Sequence, residues 1–386
     1  MIRLSAIFVV LYVFILLLNG CSDDPASIGR DLLKDDRINI LEKDSFTDSL
    51  NQSSSYFKRV VPLRDANTLL IGKKANVESS LLLKFFLALT DTLANDLLND
   101  RINVLSAKVL LAQTYTFGDS TAPFDFSVHN IISSWSDSSF TADSLPLLQF
   151  DPADAASNIN FISGDTLEFD LNIQNVLTWL KVRADTNIAD DNGIFIKPSD
   201  NAQKIAGFSI IPELIIFIEK PGVYQDSLTF GPSSEINAVT GSVPAVSSEN
   251  IVVQNSVLFE SKLWFDLSSI PKTALINYAE LTLTLDTNET ITGSAYTGYI
   301  RAFFLTDSLN NSIDSINLAS ITRSGNLYKG DITHYVQNWV NGTDNQGMLL
   351  TPVMTGEGVE LLSFKGSSSA DLSVRPRLKI VYTTKR

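Results

Sequence analysis

The stretch Ala279-Glu280-Leu281-Thr282-Leu283-Thr284-Leu285 decides the class of fold, because apolar and polar residues alternate along it without a break. Successive side chains of a strand point to opposite faces, so this alternation predicts a strand with one apolar and one polar face. Leu214-Ile215-Ile216-Phe217-Ile218 is instead a continuous apolar run rich in β-branched residues, which is typical of a buried strand. Clusters of Ser, Asn, Asp and Gly separate such stretches. The chain is therefore predicted to be all-β.

The same landmarks occur twice in the same order, which predicts two copies of one unit. The paired segments are 78–85 with 260–267, 102–103 with 276–277, 107–111 with 279–283, 176–179 with 336–339, 193–198 with 347–352, and 212–214 with 376–378. We predict two tandem jelly-roll-like antiparallel β-sandwiches. The first, more degenerate copy spans residues 39–220, and the second spans residues 221–386.

The N-terminus has the features of an export signal. Residues 1–20 carry one charge, Arg3, followed by an apolar run that is too short to cross a bilayer. Leu18-Asn19-Gly20-Cys21 resembles the lipobox of bacterial lipoproteins, and this resemblance implies cleavage before Cys21 and lipid on its thiol and new amino group. Several acyl chains would hold the protein stably to a membrane. The alternative is an ordinary signal peptide that happens to be followed by a cysteine.

Residues 21–38 are polar and acidic, and we interpret them as a lipidated tether between the membrane and the folded body. Acidic residues directly after a lipidated cysteine resemble the surface-export signals of Bacteroidota lipoproteins. The predicted location is therefore the outer membrane. The sequence leaves open whether the protein faces the cell surface or the periplasm.

Composition limits the partners of the protein. The chain has 43 acidic against 29 basic residues and a net charge of −14, so its surface would repel nucleic-acid backbones. Cys21 is its only cysteine, so neither a disulfide within the chain nor a cysteine-based metal cluster is possible. The predicted partners are the membrane, through lipid on Cys21, and a polysaccharide.

Three segments carry a family resemblance. They are 263–271, with a Leu-Trp-Phe-Asp-Leu-Ser-Ser-Ile-Pro strand, 135–141, with Trp-Ser-Asp-Ser-Ser-Phe-Thr, and 331–339, with an Asp-Ile-Thr-x-x-Val-x-x-Trp turn of helix. They resemble the DNRLRE-type module, an extracellular β-sandwich related to carbohydrate-binding modules. The resemblance implies non-catalytic binding of a glycan. Protein-mediated adhesion or an envelope-building role is the alternative, and a polysaccharide lyase or hydrolase is a weaker one.

Candidate catalytic residues are scarce. The chain has two histidines, His129 and His334, and neither lies in a G-x-S-x-G or H-E-x-x-H motif. Val176 and Val336 each stand three residues before a tryptophan, Trp179 and Trp339, so these indoles should pack against the core from one face of a short helix. No catalytic residue is predicted, and the protein is predicted not to be an enzyme.

Two groups of residues are candidates for binding. Trp264 points away from Leu263 and Phe265 in its alternating strand, so its indole could stack on a sugar unless a loop or the neighbouring domain covers it. Oxygen-rich clusters precede a glycine in both copies and suit either a structural calcium ion or a plain turn. These clusters are Asp190, Asp191 and Asn192 in the first copy, and Asp344 and Asn345 in the second. Apart from this calcium, no cofactor is predicted.

Overall fold

The computed structural model describes residues 38–48, 50–59, 66–162, 165–185, 192–353 and 358–385. Strands make up 51% of the chain and helices 11%, which confirms the predicted all-β class. The predicted signal peptide, Cys21 and the predicted tether up to residue 37 lie outside the described residues, as do Asp190 and Asp191. Among the described helices, none has the length and apolar character needed to span a membrane.

The chain forms 22 strands and three α-helices within the described ranges. The first eleven strands are β1 (Ile38–Asp44), β2 (Gln52–Lys58), β3 (Leu69–Lys74), β4 (Val77–Phe85), β5 (Asn103–Phe117), β6 (Phe126–Asn130), β7 (Ala156–Ile162), β8 (Thr166–Leu171), β9 (Ile194–Pro198), β10 (Ile205–Phe208) and β11 (Glu213–Lys220). The others are β12 (Tyr224–Phe230), β13 (Pro232–Gly241), β14 (Asn250–Gln254), β15 (Phe259–Phe265), β16 (Leu275–Thr284), β17 (Tyr299–Asp307), β18 (Ser312–Ser324), β19 (Leu327–Asp331), β20 (Met348–Thr351), β21 (Leu361–Lys365) and β22 (Arg377–Lys385). The helices are α1 (Asp91–Leu98), α2 (Ile173–Ala184) and α3 (Thr333–Val340).

The strands form two antiparallel sheets of eleven, one curved into a half-barrel and the other into a nearly closed barrel. One sheet contains β3 to β13. Along its main path the order is β12-β11-β5-β10-β3-β4-β9-β6, with β13 on β4 and β8 between β5 and β7. The other sheet has the order β1-β22-β16-β19-β18-β17-β20-β15-β14-β21, with β2 on β15. We call the body built on the first sheet the first sandwich and the other the second sandwich.

The two halves of the chain exchange strands. In the first sandwich β4 pairs with β3, β9 and β13, and in the second β15 pairs with β14, β20 and β2. Likewise β12 lies on β11, and β1 lies on β22. Strands β1 and β2 therefore complete the second sandwich, whereas β12 and β13 complete the first. Each half supplies its own first two strands to the sheet of the other half.

This exchange bears on the predicted division of the chain. The predicted junction at residue 220 coincides with the end of β11. The sheets divide differently, because residues 224–241 hydrogen-bond to the first sheet and residues 38–58 to the second.

Each sandwich has its own apolar core, and the short helices contribute to both. Trp179 of α2 and Trp339 of α3 are only 8% and 7% exposed, as their helical spacing from a valine predicts. The Oδ1 atom of Asp331 accepts a hydrogen bond from the backbone N–H of Thr333, 2.8 Å away, where α3 begins. The helices thus supply residues to both cores.

A third apolar cluster joins the two sandwiches. It contains Phe117 of the first sandwich together with Phe259 and Leu361 of the second. Beside it, Phe117 forms an isolated antiparallel bridge with Gly293. The side-chain amides of Asn76 and Gln254 bond to each other in both directions, at 2.9 and 3.2 Å. The described parts of the two sandwiches therefore share a packed boundary.

Candidate functional site

A cavity of about 410 Å³ lies at this boundary, and both sandwiches line it. We call it the inter-sandwich cavity. The first sandwich contributes Asn67 and Tyr115. The second contributes Tyr296, Tyr299 and Glu360. Three aromatic rings and several polar side chains thus meet in one recess, which is the usual composition of a small-molecule site.

Tyr115 forms the inner wall of the inter-sandwich cavity and is 2% exposed. Its hydroxyl oxygen accepts a hydrogen bond from the backbone N–H of Val359, at 3.2 Å. Gly293 packs so closely that an added Cβ would lie 2.2 Å from the Tyr115 ring. Burial and the Glu360 carboxylate raise the pKa of Tyr115, so the phenol stays protonated. The ring is fixed in place by contacts from the second sandwich.

Tyr296 and Tyr299 are only partly buried, so they lie nearer to solvent than Tyr115. The Tyr296 hydroxyl bonds to that of Tyr328. Burial raises the pKa of Tyr296, against the opposing charge of Arg323. Tyr296 therefore remains a neutral phenol at neutral pH and presents its ring without a charge.

Polar groups of the second sandwich complete the inter-sandwich cavity. Glu360 and Asn255 are each 9% exposed, and the backbone N–H of Asn255 donates to the carbonyl of Glu360, at 3.1 Å. This places a carboxylate and a carboxamide side by side on one wall. With the tyrosine rings they offer apolar faces, hydrogen-bond donors and hydrogen-bond acceptors. A hydroxyl-bearing ligand with apolar ring faces would match this arrangement.

The structure brings Trp264 and Asn345 together, although they were predicted for different purposes. The indole N–H of Trp264 donates to the carbonyl of Asn345, at 3.0 Å, and the ring is partly buried. The Asn345 side chain in turn donates to the carbonyl of Phe265, at 2.8 Å. The indole edge therefore holds the loop before Gly347, and stacking of the ring on a sugar stays a prediction.

The first sandwich has an equivalent hydrogen bond from an indole to a loop carbonyl, made by a different tryptophan. The indole N–H of Trp135 donates to the carbonyl of Asn192, at 2.8 Å. Lys84 holds its ammonium group 4.7 Å from the centre of the Trp135 ring. Asn192 also donates through its side-chain amide to the carbonyl of Ile132, at 2.9 Å. In both sandwiches an indole therefore fixes the loop that precedes the shared glycine.

In the loop before Gly347, the side-chain oxygens of the predicted calcium cluster contact groups of the loop itself. The Asn345 Oδ1 atom, which would be a calcium ligand, accepts a hydrogen bond from the backbone N–H of Gly347, at 3.2 Å. Asp344 is exposed, and its Oδ2 atom lies 3.4 Å from the side-chain amide nitrogen of Gln346. In the described part of the chain, no three His, Cys, Asp or Glu side chains form a group that could hold a metal ion. Calcium binding stays a prediction, and these contacts are those of a turn.

His129 is buried in the first sandwich and is held at both ring nitrogens. Its Nε2 atom lies 2.8 Å from Ser127 Oγ, and its Nδ1 atom lies 2.9 Å from the carbonyl of Asp151. A carbonyl thus orients the ring where a serine hydrolase has a carboxylate. His334 is exposed on α3, 3.2 Å from the amide nitrogen of Asn338. The two histidines are therefore in different surroundings.

Sequence patterns did not reveal the inter-sandwich cavity. Tyr115 continues the alternation of β5 with Val109 and Leu111, so it reads as a core residue. Tyr296 and Tyr299 stand beside a Gly- and Thr-rich turn with no recognisable motif. Their meeting depends on how two sandwiches pack, and no local pattern encodes that packing. The one available signal was the density of tyrosines around residues 296–299.

Comparison with known proteins gives no family for the chain. No protein-family model matches it, and no curated protein does. Among solved structures, the VP2 subviral particle of infectious bursal disease virus has 10% identity over 87% of this chain and 76% of that chain, with a TM-score of 0.14. The Gx strain of the same virus has 9% identity over 91% and 79%, with a TM-score of 0.12. Values this low do not indicate a common fold.

Proposed function

We propose that the chain is a non-catalytic binding protein of the cell envelope, anchored through lipid on Cys21, and that its inter-sandwich cavity holds part of a polysaccharide. The observation that carries the proposal is the meeting of Tyr115, Tyr296 and Tyr299 with Glu360 in one recess. Sugar rings have apolar faces that stack on aromatic side chains, and their hydroxyls both donate and accept hydrogen bonds.

The cavity supports binding better than catalysis. The phenols of Tyr115 and Tyr296 have raised pKa values, so neither is poised to act as a base near neutral pH. His129 does not line the inter-sandwich cavity, since its partners are Ser127 and backbone carbonyls. The described residues of the cavity therefore match recognition of a hydroxylated ligand.

The test is a polysaccharide-array screen with the full chain in detergent, followed by measurement of dissociation constants for whichever glycan binds. Tyr299→Ala removes a partly buried ring from the cavity and should weaken binding about fivefold or more, because aromatic stacking contributes on the order of 1 kcal/mol. The matched control is Tyr278→Ala. That tyrosine is 39% exposed on β16, and its hydroxyl donates to Glu280, outside the cavity.

The same screen separates the two candidate surfaces. Trp264→Ala should leave affinity unchanged if the glycan occupies the inter-sandwich cavity. A loss of affinity in Trp264→Ala, with none in Tyr299→Ala, would move the site to the outer face of β15. If no glycan binds the full chain, the proposal fails and an adhesive or structural role takes its place.

A further inference from the structure

A second cavity, of about 370 Å³, gathers basic side chains in a strongly acidic protein. Arg59 and Arg301 line it, and Glu260 is the acidic group among its lining residues. The chain as a whole carries a net charge of −14. Ile300 and Ala302 pack into the core of the second sandwich, so Arg301 between them faces outward from β17. We call this recess the arginine cavity.

Arg59 is positioned by a buried carboxylate. One of its terminal nitrogens donates to Glu260 Oε1, at 2.8 Å, and the Glu260 side chain is 0% exposed. The Arg59 side chain itself is 47% exposed. A guanidinium carries five N–H donors, so this bond leaves others for a ligand. Glu260 therefore orients a cation whose remaining donors are accessible from solvent.

Arg301 is the second cation of the arginine cavity. It is partly buried, and its backbone pairs with Thr351 of β20, which also lines the cavity. Within the described residues, no carboxylate forms an ion pair with the Arg301 guanidinium. A partly buried guanidinium without an acidic partner among the described residues favours an anionic ligand, because a charge removed from water is stabilised by an opposite charge.

Two oxygens at this cavity also have no hydrogen-bond partner among the described residues. They are Glu260 Oε2 and Asn311 Oδ1, and both are buried. An unpartnered buried acceptor costs free energy that a donor would recover. Both oxygens are covered by protein, so the arginine donors are the groups open to a ligand, and they match an oxyanion.

The two cavities are neighbours, since Asn67, Pro352 and Val353 line both. We infer that the arginine cavity is a subsite for an oxyanion carried by the glycan whose rings lie in the inter-sandwich cavity. This inference rests on the proposed function. A carboxylate, a sulfate and a phosphate share the required chemistry, and the arms of the test distinguish them.

The test uses four polymers of equal length on one backbone, namely neutral, carboxymethylated, sulfated and phosphorylated dextran, with the full chain in detergent. At least one anionic dextran should bind about tenfold or more tightly than the neutral one, because hydrogen bonds to charged groups are the strong ones. Arg301→Gln should abolish this difference. Arg301→Lys keeps the positive charge but lacks the planar guanidinium with its paired N–H donors, so it should retain part of the difference in affinity. Partial retention would also show that the loss in Arg301→Gln is not a folding defect.

Arg101→Gln is the control for general electrostatics. Arg101 is 57% exposed in the first sandwich, 3.6 Å from Asp96, and lines neither cavity. Its removal changes the net charge as Arg301→Gln does and should leave every affinity unchanged. The inference is overturned if neutral and anionic dextrans bind equally, or if Arg101→Gln and Arg301→Gln weaken binding alike.

Failure of the proposed function is recognised separately. If dextrans of every kind fail to bind, sulfate, phosphate and acetate are titrated alone at constant ionic strength. One of them should still stabilise the full chain against heat more than it stabilises Arg301→Gln, since a bound ion stabilises the folded state. Equal stabilisation of the two proteins would overturn the anion subsite as well.

Discussion

The two sandwiches follow one pairing scheme but obtain their last two strands in different ways. In the first, β12 follows β11 after a turn of three residues and pairs with it directly. In the second, β1 must reach β22 at the far end of the chain. Closing a long segment costs more entropy than closing a turn. Equivalent strands of the two sandwiches can therefore differ in how strongly the connecting chain favours their pairing with the sheet.

The largest effect should come from removing β1 and β2. A chain that begins at residue 66 exposes the edges of β22 and β15 that these strands cover, so the second sandwich should unfold. The first sandwich retains β12 and β13 and should stay folded. Hydrogen exchange read by mass spectrometry should show protection lost across residues 250–385 and kept across residues 69–241.

A synthetic peptide of residues 38–59 supplies the control for this truncation. Added in excess, it should restore protection to the second sandwich without altering the first. Equal loss of protection in both sandwiches would contradict independent completion of the two sheets. It would indicate that their shared boundary makes them one cooperative unit.

Substitution of the shared glycines should have the next largest effect. Gly193 and Gly347 have φ angles of 74° and 81°, and an added Cβ would lie 2.1 Å from the Leu83 carbonyl oxygen or 2.6 Å from that of Leu263. Each change to alanine should cost roughly 3 kcal/mol or more, because a close contact adds to left-handed strain. Chemical denaturation should show the larger loss for Gly193→Ala.

Gly325→Ala is the matched control for these glycines. Its φ angle is 66°, and nothing lies within 4 Å of an added Cβ. This substitution should therefore lower the free energy of unfolding only by the strain of a left-handed backbone, about 1–2 kcal/mol. If Gly325→Ala were as damaging as Gly193→Ala, close packing of the shared glycine on its strand would not be the reason for its presence.

The smallest of the three effects concerns how β1 is fastened. The Asp44 side chain is 5% exposed and accepts hydrogen bonds from Arg377 Nε at 2.9 and 3.0 Å. Arg377→Gln should cost about 1–2 kcal/mol, a range reduced because Arg377 is half exposed. In the first sandwich, β12 has a single amide-to-carboxylate bond, from Gln225 to Glu219 at 3.0 Å.

The pH dependence checks this fastening. Arg377 holds the pKa of Asp44 below its ordinary value of 3.8. A lowered folded-state pKa stabilises the fold above the unfolded-state value, and this contribution is lost as the pH falls through the folded-state value. The free energy of unfolding of Arg377→Gln should therefore decline less below about pH 4. Lys379→Gln breaks the exposed contact with Glu42 and removes a charge that lowers the pKa of Asp44 less than Arg377 does, so its curve should stay closer to that of the parent.

Alternation and repeats predicted the strands well, because period and turn residues are local properties. They also predicted that Gly193 is equivalent to Gly347, and Trp179 to Trp339, in the two repeats. The repeat alignment matches Leu83 with Phe265, yet Gly193 packs on Leu83 whereas Gly347 packs on Leu263. A slip of two residues keeps every side chain on its face, so an alternating pattern cannot detect it.

Strand exchange could not be predicted for a related reason. Strand β1 would present the same alternation to either sheet, and its choice depends on contacts such as Asp44 with Arg377, far apart in sequence. The candidate sites follow the same rule. Trp264 was predicted from one strand, whereas the inter-sandwich cavity and the arginine cavity arise where segments from distant parts of the chain meet.

The pairing of β1 with β22 also determines where the predicted membrane tether joins the folded body. If lipid on Cys21 anchors the chain, a span of at most roughly 60 Å leads to Ile38, where the second sandwich begins. The tether would then join the second sandwich, which is built mainly from the later half of the chain. A pull along β1 would load its seven residue pairs with β22 together, in shear, so the edge strand would act as a mechanical anchor.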